Sequence, residues 1–164
     1  MTGVLLEPWP AHTLLAGGAC AAHGRQRQEE SGPMRRPNLA PYYRWLVLVT
    51  PVLVLLQAIL AGQWLGGHQD YIDYHEMVAN LLVILVIVQL ILTVLIGIPG
   101  DLGKRLLAMN GLLLVLTVIQ VGLGYSGRTD LDARAWHLPL GVFIFGLSAG
   151  IAAEAPHILR EREK

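Results

Sequence analysis

Two of the six histidines in this 164-residue sequence occur in matching surroundings and are the residues best suited to chemistry. Gln57 precedes His75 by 18 residues, and Gln120 precedes His137 by 17 residues. In both places a stretch with small residues follows the glutamine, and a loop then leads to the histidine. This layout predicts an internal repeat. Because imidazole is a common metal ligand, the two histidines are candidate metal-binding residues.

Four apolar segments must position these histidines. None of them contains Asp, Glu, Lys or Arg, and they cover residues 45–65, 78–98, 106–124 and 138–153. A helix needs about 20 apolar residues to cross the hydrocarbon core of a bilayer. We therefore predict an all-α integral membrane protein in contact with the lipid bilayer. Its transmembrane helices are expected at about residues 43–65, 74–98, 104–125 and 135–155.

The rest of the chain falls into two short flanking segments. Residues 1–33 mix Gly, Ala, Pro and polar residues without helical or strand periodicity. We expect them to form a disordered tail, or to be a translated leader ahead of a start at Met34. Residues 34–158 then form the four-helix transmembrane domain, and residues 159–164 form a cytoplasmic tail.

Charge and cysteine content exclude several classes of protein. The 12 basic and 12 acidic residues give a net charge of zero, which provides no basic surface for nucleic acid. The only cysteine is Cys20, so disulfides, zinc–cysteine sites and iron–sulfur clusters within one chain are excluded. Any metal chemistry must therefore use histidine or carboxylate ligands.

The distribution of Lys and Arg predicts the orientation of the bundle. From Met34 onward, eight of these residues lie in the N-terminal flank, the second connection and the C-terminal tail. Only two lie in the first and third connections. Positive charge favours the cytoplasmic side, so we predict both termini inside a plasma membrane, such as a bacterial inner membrane. Short connections make sequential helices antiparallel neighbours, which gives an up-down four-helix bundle built as two helix-pair repeats.

In that arrangement His75 and His137 begin the second and fourth helices at similar depth. These helices are diagonal, and sides of 8–10 Å give a diagonal of roughly 11–14 Å. We expect this separation to be far too wide for the imidazoles to touch, but suited to clamping the iron of a haem from opposite faces. One turn further on, Ala79 and Gly141 would let a flat macrocycle lie against each helix. Gln57 and Gln120 complete the predicted cofactor-binding set.

Other interpretations of these residues stay open. A histidine near a helix end in a membrane is often an interfacial hydrogen-bonding residue, and glutamines often bond between helices. Gly146 and Gly150 have the spacing of a helix-packing motif, and we interpret them in that way. The acidic residues Asp70, Asp73 and Glu76 are expected to form a solvated rim.

At the two histidines the sequence resembles a known family. Tyr74-His75-Glu76 and Trp136-His137-Leu138-Pro139-Leu140-Gly141 are similar to the histidine motifs in one four-helix half of the haem A synthase family. They are also similar to those of single-unit bacterial membrane proteins with the same histidine layout. The resemblance implies a four-helix bundle with haem bound by the two histidines. Ile72 stands where the catalytic half of haem A synthase carries a carboxylate.

Three functions remain under consideration. The first is a b-type cytochrome-like membrane protein for electron transfer, haem carriage or haem sensing, with a quinone or a redox protein as partner. The second is a cofactor-free accessory or assembly subunit of a larger membrane complex. The third is a half-size enzyme that forms a homodimer resembling full-length haem A synthase. The sequence does not decide whether the protein is an enzyme.

Overall fold

The computed structural model describes residues 38–162, with side chains described through residue 157. These residues form four helices, namely α1 (Ala40–Leu65), α2 (Tyr71–Ile96), α3 (Gly100–Ser126) and α4 (Leu131–Arg162). The interpretation of residues 1–33 falls outside the described residues. All four helices are long and apolar enough to cross a membrane. The predicted multi-pass, all-α membrane fold is therefore confirmed.

The helices pack as an antiparallel up-down bundle. The backbones of α1 and α3 each approach those of α2 and α4. Within these four helices, the backbones of α1 and α3 do not approach each other, and neither do those of α2 and α4. Helices α2 and α4 are therefore diagonal, as the short connections between sequential helices predicted. We call the end of the bundle that carries the α1–α2 and α3–α4 connections the histidine end. The α2–α3 connection marks the opposite end.

Apolar side chains cover the outside of the bundle, and several polar side chains are buried inside it. Leu, Ile and Val side chains are exposed along the helices, as expected for a surface in contact with lipid. Inside, Thr50 Oγ1 donates to Gln89 Oε1 at 2.9 Å, and Gln89 Nε2 donates to Asn110 Oδ1 at 2.6 Å. Asn110 Nδ2 donates to the hydroxyl of Tyr43 at 3.0 Å. This network joins α1, α2 and α3, and such bonds contribute about 0.6 kcal/mol each on average in a membrane.

Four boundaries of α1, α2 and α3 differ from the prediction by two residues or more. α2 begins at Tyr71, three residues before the predicted residue 74. The other three differ because turn residues place them elsewhere. α2 ends at Ile96 rather than residue 98, since Gly97 adopts a left-handed conformation with φ of 60° that terminates the helix. α3 begins four residues early at Gly100, directly after the extended Pro99. α1 begins at Ala40 instead of residue 43, with Pro41 in its first turn, where a missing N–H costs nothing.

The boundaries of α4 also differ from the prediction. α4 begins at Leu131 rather than residue 135, because Asp130 Oδ1 accepts the backbone N–H of Asp132 at 2.9 Å and caps the helix. It also continues past Pro156 to Arg162, so residues 159–162 of the predicted cytoplasmic tail are helical. A proline removes one hydrogen bond and bends a helix, but it does not have to end it.

Candidate functional site

A cavity of about 600 Å³ lies inside the bundle and is lined by residues of all four helices. It extends from Thr50 and Thr117 in the bundle interior to Trp64 and Arg134 at the histidine end. Most of the lining side chains are apolar. The volume lies within the range of about 300–1,000 Å³ that is typical of cofactor and ligand pockets.

His75 and His137 approach each other across this cavity. Both are partly buried and line its wall, one from α2 and the other from α4. Their ring centroids are 6.1 Å apart, with the ring planes inclined by 59°. The rings are thus nearer to each other than we expected from the diagonal helices, because both side chains project into the bundle.

The two imidazoles are oriented by equivalent hydrogen bonds. His75 Nδ1 lies 3.1 Å from the carbonyl oxygen of Gln57, and His137 Nδ1 lies 3.0 Å from that of Gln120. A carbonyl oxygen only accepts, so Nδ1 carries the proton in both rings. In a neutral imidazole Nε2 then keeps its lone pair and is available as a metal ligand. Metal-binding histidines commonly donate their other N–H to a backbone carbonyl in this way.

Each glutamine and each histidine of the repeat is followed, one helical turn later, by a small residue. Ala61 and Gly124 follow the two glutamines, and Ala79 and Gly141 follow the two histidines. A Cβ atom at Gly124 would lie only 3.1 Å from Cε1 of His137. The absence of a side chain at Gly124 therefore gives the His137 ring its room. The sequence pattern did not predict this role.

In the second half of the repeat, the side chain of Gln120 makes a second hydrogen bond to His137. Its Nε2 donates to the backbone carbonyl of His137 at 2.9 Å, so the two residues bond reciprocally. A Cβ atom at Gly141 would lie 3.1 Å from that Nε2, so this glycine accommodates the glutamine amide. The interpretation of Gln120 as an interhelical hydrogen bonder is therefore confirmed.

Gln57 behaves differently in the first half of the repeat. Its backbone carbonyl orients His75, but its side chain makes no hydrogen bond to any described residue. Ala79 occupies the position that corresponds to Gly141. Among the described residues, the side-chain oxygens of Gln57 and Gln120 are both buried without a hydrogen-bond partner, and both glutamines line the cavity.

A cluster of charged and aromatic side chains at the histidine end was not predicted. Glu76 accepts a hydrogen bond from the hydroxyl of Tyr125 at 2.7 Å and from Arg128 Nη2 at 2.5 Å. Glu76 lines the cavity while its side chain remains 37% exposed, and Asp70 and Asp73 are exposed as expected.

Arg134 is the other residue of this end that the sequence interpretation missed. Its guanidinium lies over the ring of Trp64, with 5.5 Å between Cζ and the ring centroid. The available sequence signal was its position three residues before His137, which places both on one face of α4.

The donor set at the cavity consists of two imidazoles. Within residues 38–157, no group of three or more His, Cys, Asp or Glu side chains is placed to hold a metal ion. A metal bound by both His75 and His137 would therefore need its remaining ligands from another molecule. A macrocycle that supplies four equatorial nitrogens meets this requirement. Comparison with protein-family models, curated proteins and solved structures gives no match to this chain.

Proposed function

We propose that this protein binds a b-type haem between α2 and α4, with His75 and His137 as its two axial ligands. The observation that carries the proposal is the pair of imidazoles 6.1 Å apart, each with Nδ1 bonded to a backbone carbonyl. A metal–imidazole bond of about 2.0–2.1 Å, plus about 1.1 Å from nitrogen to ring centre, separates two opposed rings by roughly 6.2–6.4 Å. The separation of 6.1 Å is close to this value and fits two imidazoles on opposite sides of one metal.

The surroundings of the histidines support the same proposal. The cavity is lined by apolar side chains over most of its wall and is large enough for a cofactor. The small residues Ala61, Gly62 and Ala79 line the cavity and leave space for a cofactor beside the imidazoles. The backbone carbonyls of Gln57 and Gln120 hold the imidazoles in the tautomer that leaves Nε2 free.

Bis-histidine ligation favours electron transfer, haem carriage or haem sensing. Two protein ligands fill both axial positions of the iron, so none remains for binding oxygen. When bound, the haem would supply one-electron chemistry. The role of the chain would be to fix the axial ligands, exclude water with the apolar wall and hold the cofactor within the membrane. A quinone or a redox protein is the expected partner class.

The proposal includes an orientation in the plasma membrane. Counted along the sequence from Met34, two Lys or Arg residues lie in or near the connections of the histidine end, and the other eight lie in the N-terminal flank, near the α2–α3 connection or near the C-terminus. By the positive-inside rule the histidine end faces outward and both termini lie in the cytoplasm.

The experiment that tests the proposal is an absorption spectrum of the detergent-purified full chain from haem-replete cells, oxidised and then reduced with dithionite. We expect sharp visible bands in the reduced wild-type protein, and their loss in both His75→Ala and His137→Ala. His68→Ala and His157→Ala are matched controls, because both histidines are exposed and lie outside the cavity.

A correctly folded but colourless wild-type protein would overturn the haem proposal. The remaining function would then be that of an accessory or assembly subunit. Bands that survive both cavity substitutions would also contradict it, since the iron would have other ligands.

A further inference from the structure

The cavity wall contains three charged side chains, and one of them has no charged partner among the residues that the structure describes. Glu76 and Arg128 form an ion pair across the α2–α3 side of the cavity. Arg134 pairs with no carboxylate among residues 38–157. It is partly buried and lies at the cavity wall. Burial of a cation without a counter-ion is costly, so this position favours an anionic ligand.

The hydrogen bonds of Arg134 hold the guanidinium in place but do not use all of its N–H groups. Its Nε donates to the carbonyl of Gly127 at 2.9 Å, and its Nη2 lies 3.4 Å from the carbonyl of Arg128. Its Cζ lies over the ring of Trp64 of α1, 5.5 Å from the ring centroid. Nη1 makes no hydrogen bond within the part of the chain that the structure describes. A guanidinium held in this way is prepared to bind a carboxylate through its remaining N–H groups.

We propose that Arg134 binds the carboxylate edge of the cofactor and thereby sets its orientation in the cavity. The inference rests on the proposed haem function. Arg134 precedes His137 by three residues, about 4.5 Å along the helix axis toward the histidine end. The two carboxylates of a b-type haem lie on one edge of the macrocycle, whereas its other edges are apolar. Val54, Val86 and Leu113 line the deeper part of the cavity and match the apolar edge.

Only the second half of the repeat has an arginine three residues before its histidine. On α2 the residue three positions before His75 is Ile72, which also lines the cavity. A ligand with carboxylates on one edge would therefore bind in a defined rotation about the axis that joins the two imidazoles. A ligand without them would lose that preference.

The test is a titration of haem-free protein in detergent with haem and, separately, with haem dimethyl ester, in which both carboxylates are blocked. Binding is followed by absorbance. We expect Arg134→Gln to weaken haem binding about tenfold and to leave binding of the ester unchanged. A tenfold loss of affinity corresponds to the loss of one charge-assisted hydrogen bond at a partly exposed site. Arg134→Lys keeps the charge and should lose less. Arg44→Gln is the control, since Arg44 is exposed at the opposite end.

The outcomes separate the two proposals. Equal haem affinity of the wild type and Arg134→Gln would overturn the role of Arg134 and leave haem binding intact. The same would follow if the substitution weakened haem and ester equally, because the effect would then not depend on the carboxylates. A wild-type protein that binds neither ligand would overturn the haem proposal itself. The comparison of haem with its ester on the wild type needs no variant, so misfolding of Arg134→Gln does not remove the test.

Discussion

Replacing Gly124 with alanine tests whether this glycine makes room for the His137 ring. The added Cβ would lie 3.1 Å from Cε1 and 3.6 Å from Nδ1 of the imidazole. The ring must therefore move by a few tenths of an ångström. That movement weakens the 3.0 Å hydrogen bond from Nδ1 to the Gln120 carbonyl. The net value of such a bond is about 0.5–1.5 kcal/mol.

Gly122→Ala provides the matched control for this substitution. Gly122 lies two residues earlier on α3 and is exposed, and a Cβ atom added there would meet no atom within 4 Å. Either substitution gains about 1 kcal/mol of helix propensity. We therefore expect the free energy of unfolding of Gly124→Ala to fall about 0.5–1.5 kcal/mol below that of Gly122→Ala. The assay is denaturation of the haem-free protein in detergent, followed by circular dichroism.

A double-mutant cycle assigns the difference to the imidazole. In a His137→Ala background the ring is gone, so the two glycine substitutions should have equal effects on stability. The reasoning is refuted if they are already equal in the wild-type background. It is equally refuted if the difference persists after His137 is removed.

Two further predictions concern the cavity and the buried network. Gly62→Phe should weaken haem binding by at least about tenfold in the absorbance titration, because a Cβ at Gly62 meets no atom within 4 Å and the phenyl ring would occupy the cavity. Gly146→Phe is the control, since Gly146 lies on an exposed face outside the cavity. Equal haem affinities of the two variants would contradict this prediction. Gln89→Leu should lower the free energy of unfolding in detergent by about 1–2 kcal/mol, because Thr50 and Asn110 lose their shared hydrogen-bond partner. Gln63→Leu is the control and should change this free energy little, because Gln63 is exposed. An equal effect of both substitutions would show that the network contributes nothing.

The sequence was sufficient to predict the four helices, their order and the depth of the two histidines. Each follows from long apolar segments, short connections and a repeated spacing, which are local properties of the chain. The helix ends were less predictable, because they depend on single residues. The left-handed Gly97 shortened α2, and the Asp130 cap lengthened α4 at its start.

The contacts within the site required the structure. Apolar residues surround each helix, so hydropathy does not reveal which face points into the bundle. The pairing of Glu76 with Arg128 joins residues 52 positions apart, and no local pattern indicates it. The role of Gly124 depends on the position of a ring from another helix. By contrast, the position of Arg134 on the same face of α4 as His137 was readable from the spacing alone.

The most direct test of haem ligation by both histidines is the electron paramagnetic resonance spectrum of the oxidised, purified protein, together with its haem content per chain. We predict one haem per chain and a low-spin ferric signal, which requires strong ligands in both axial positions. His75→Ala and His137→Ala should each convert it to a high-spin signal or lose the haem. A wild-type protein without haem, or with a high-spin signal that neither substitution changes, would contradict bis-histidine ligation.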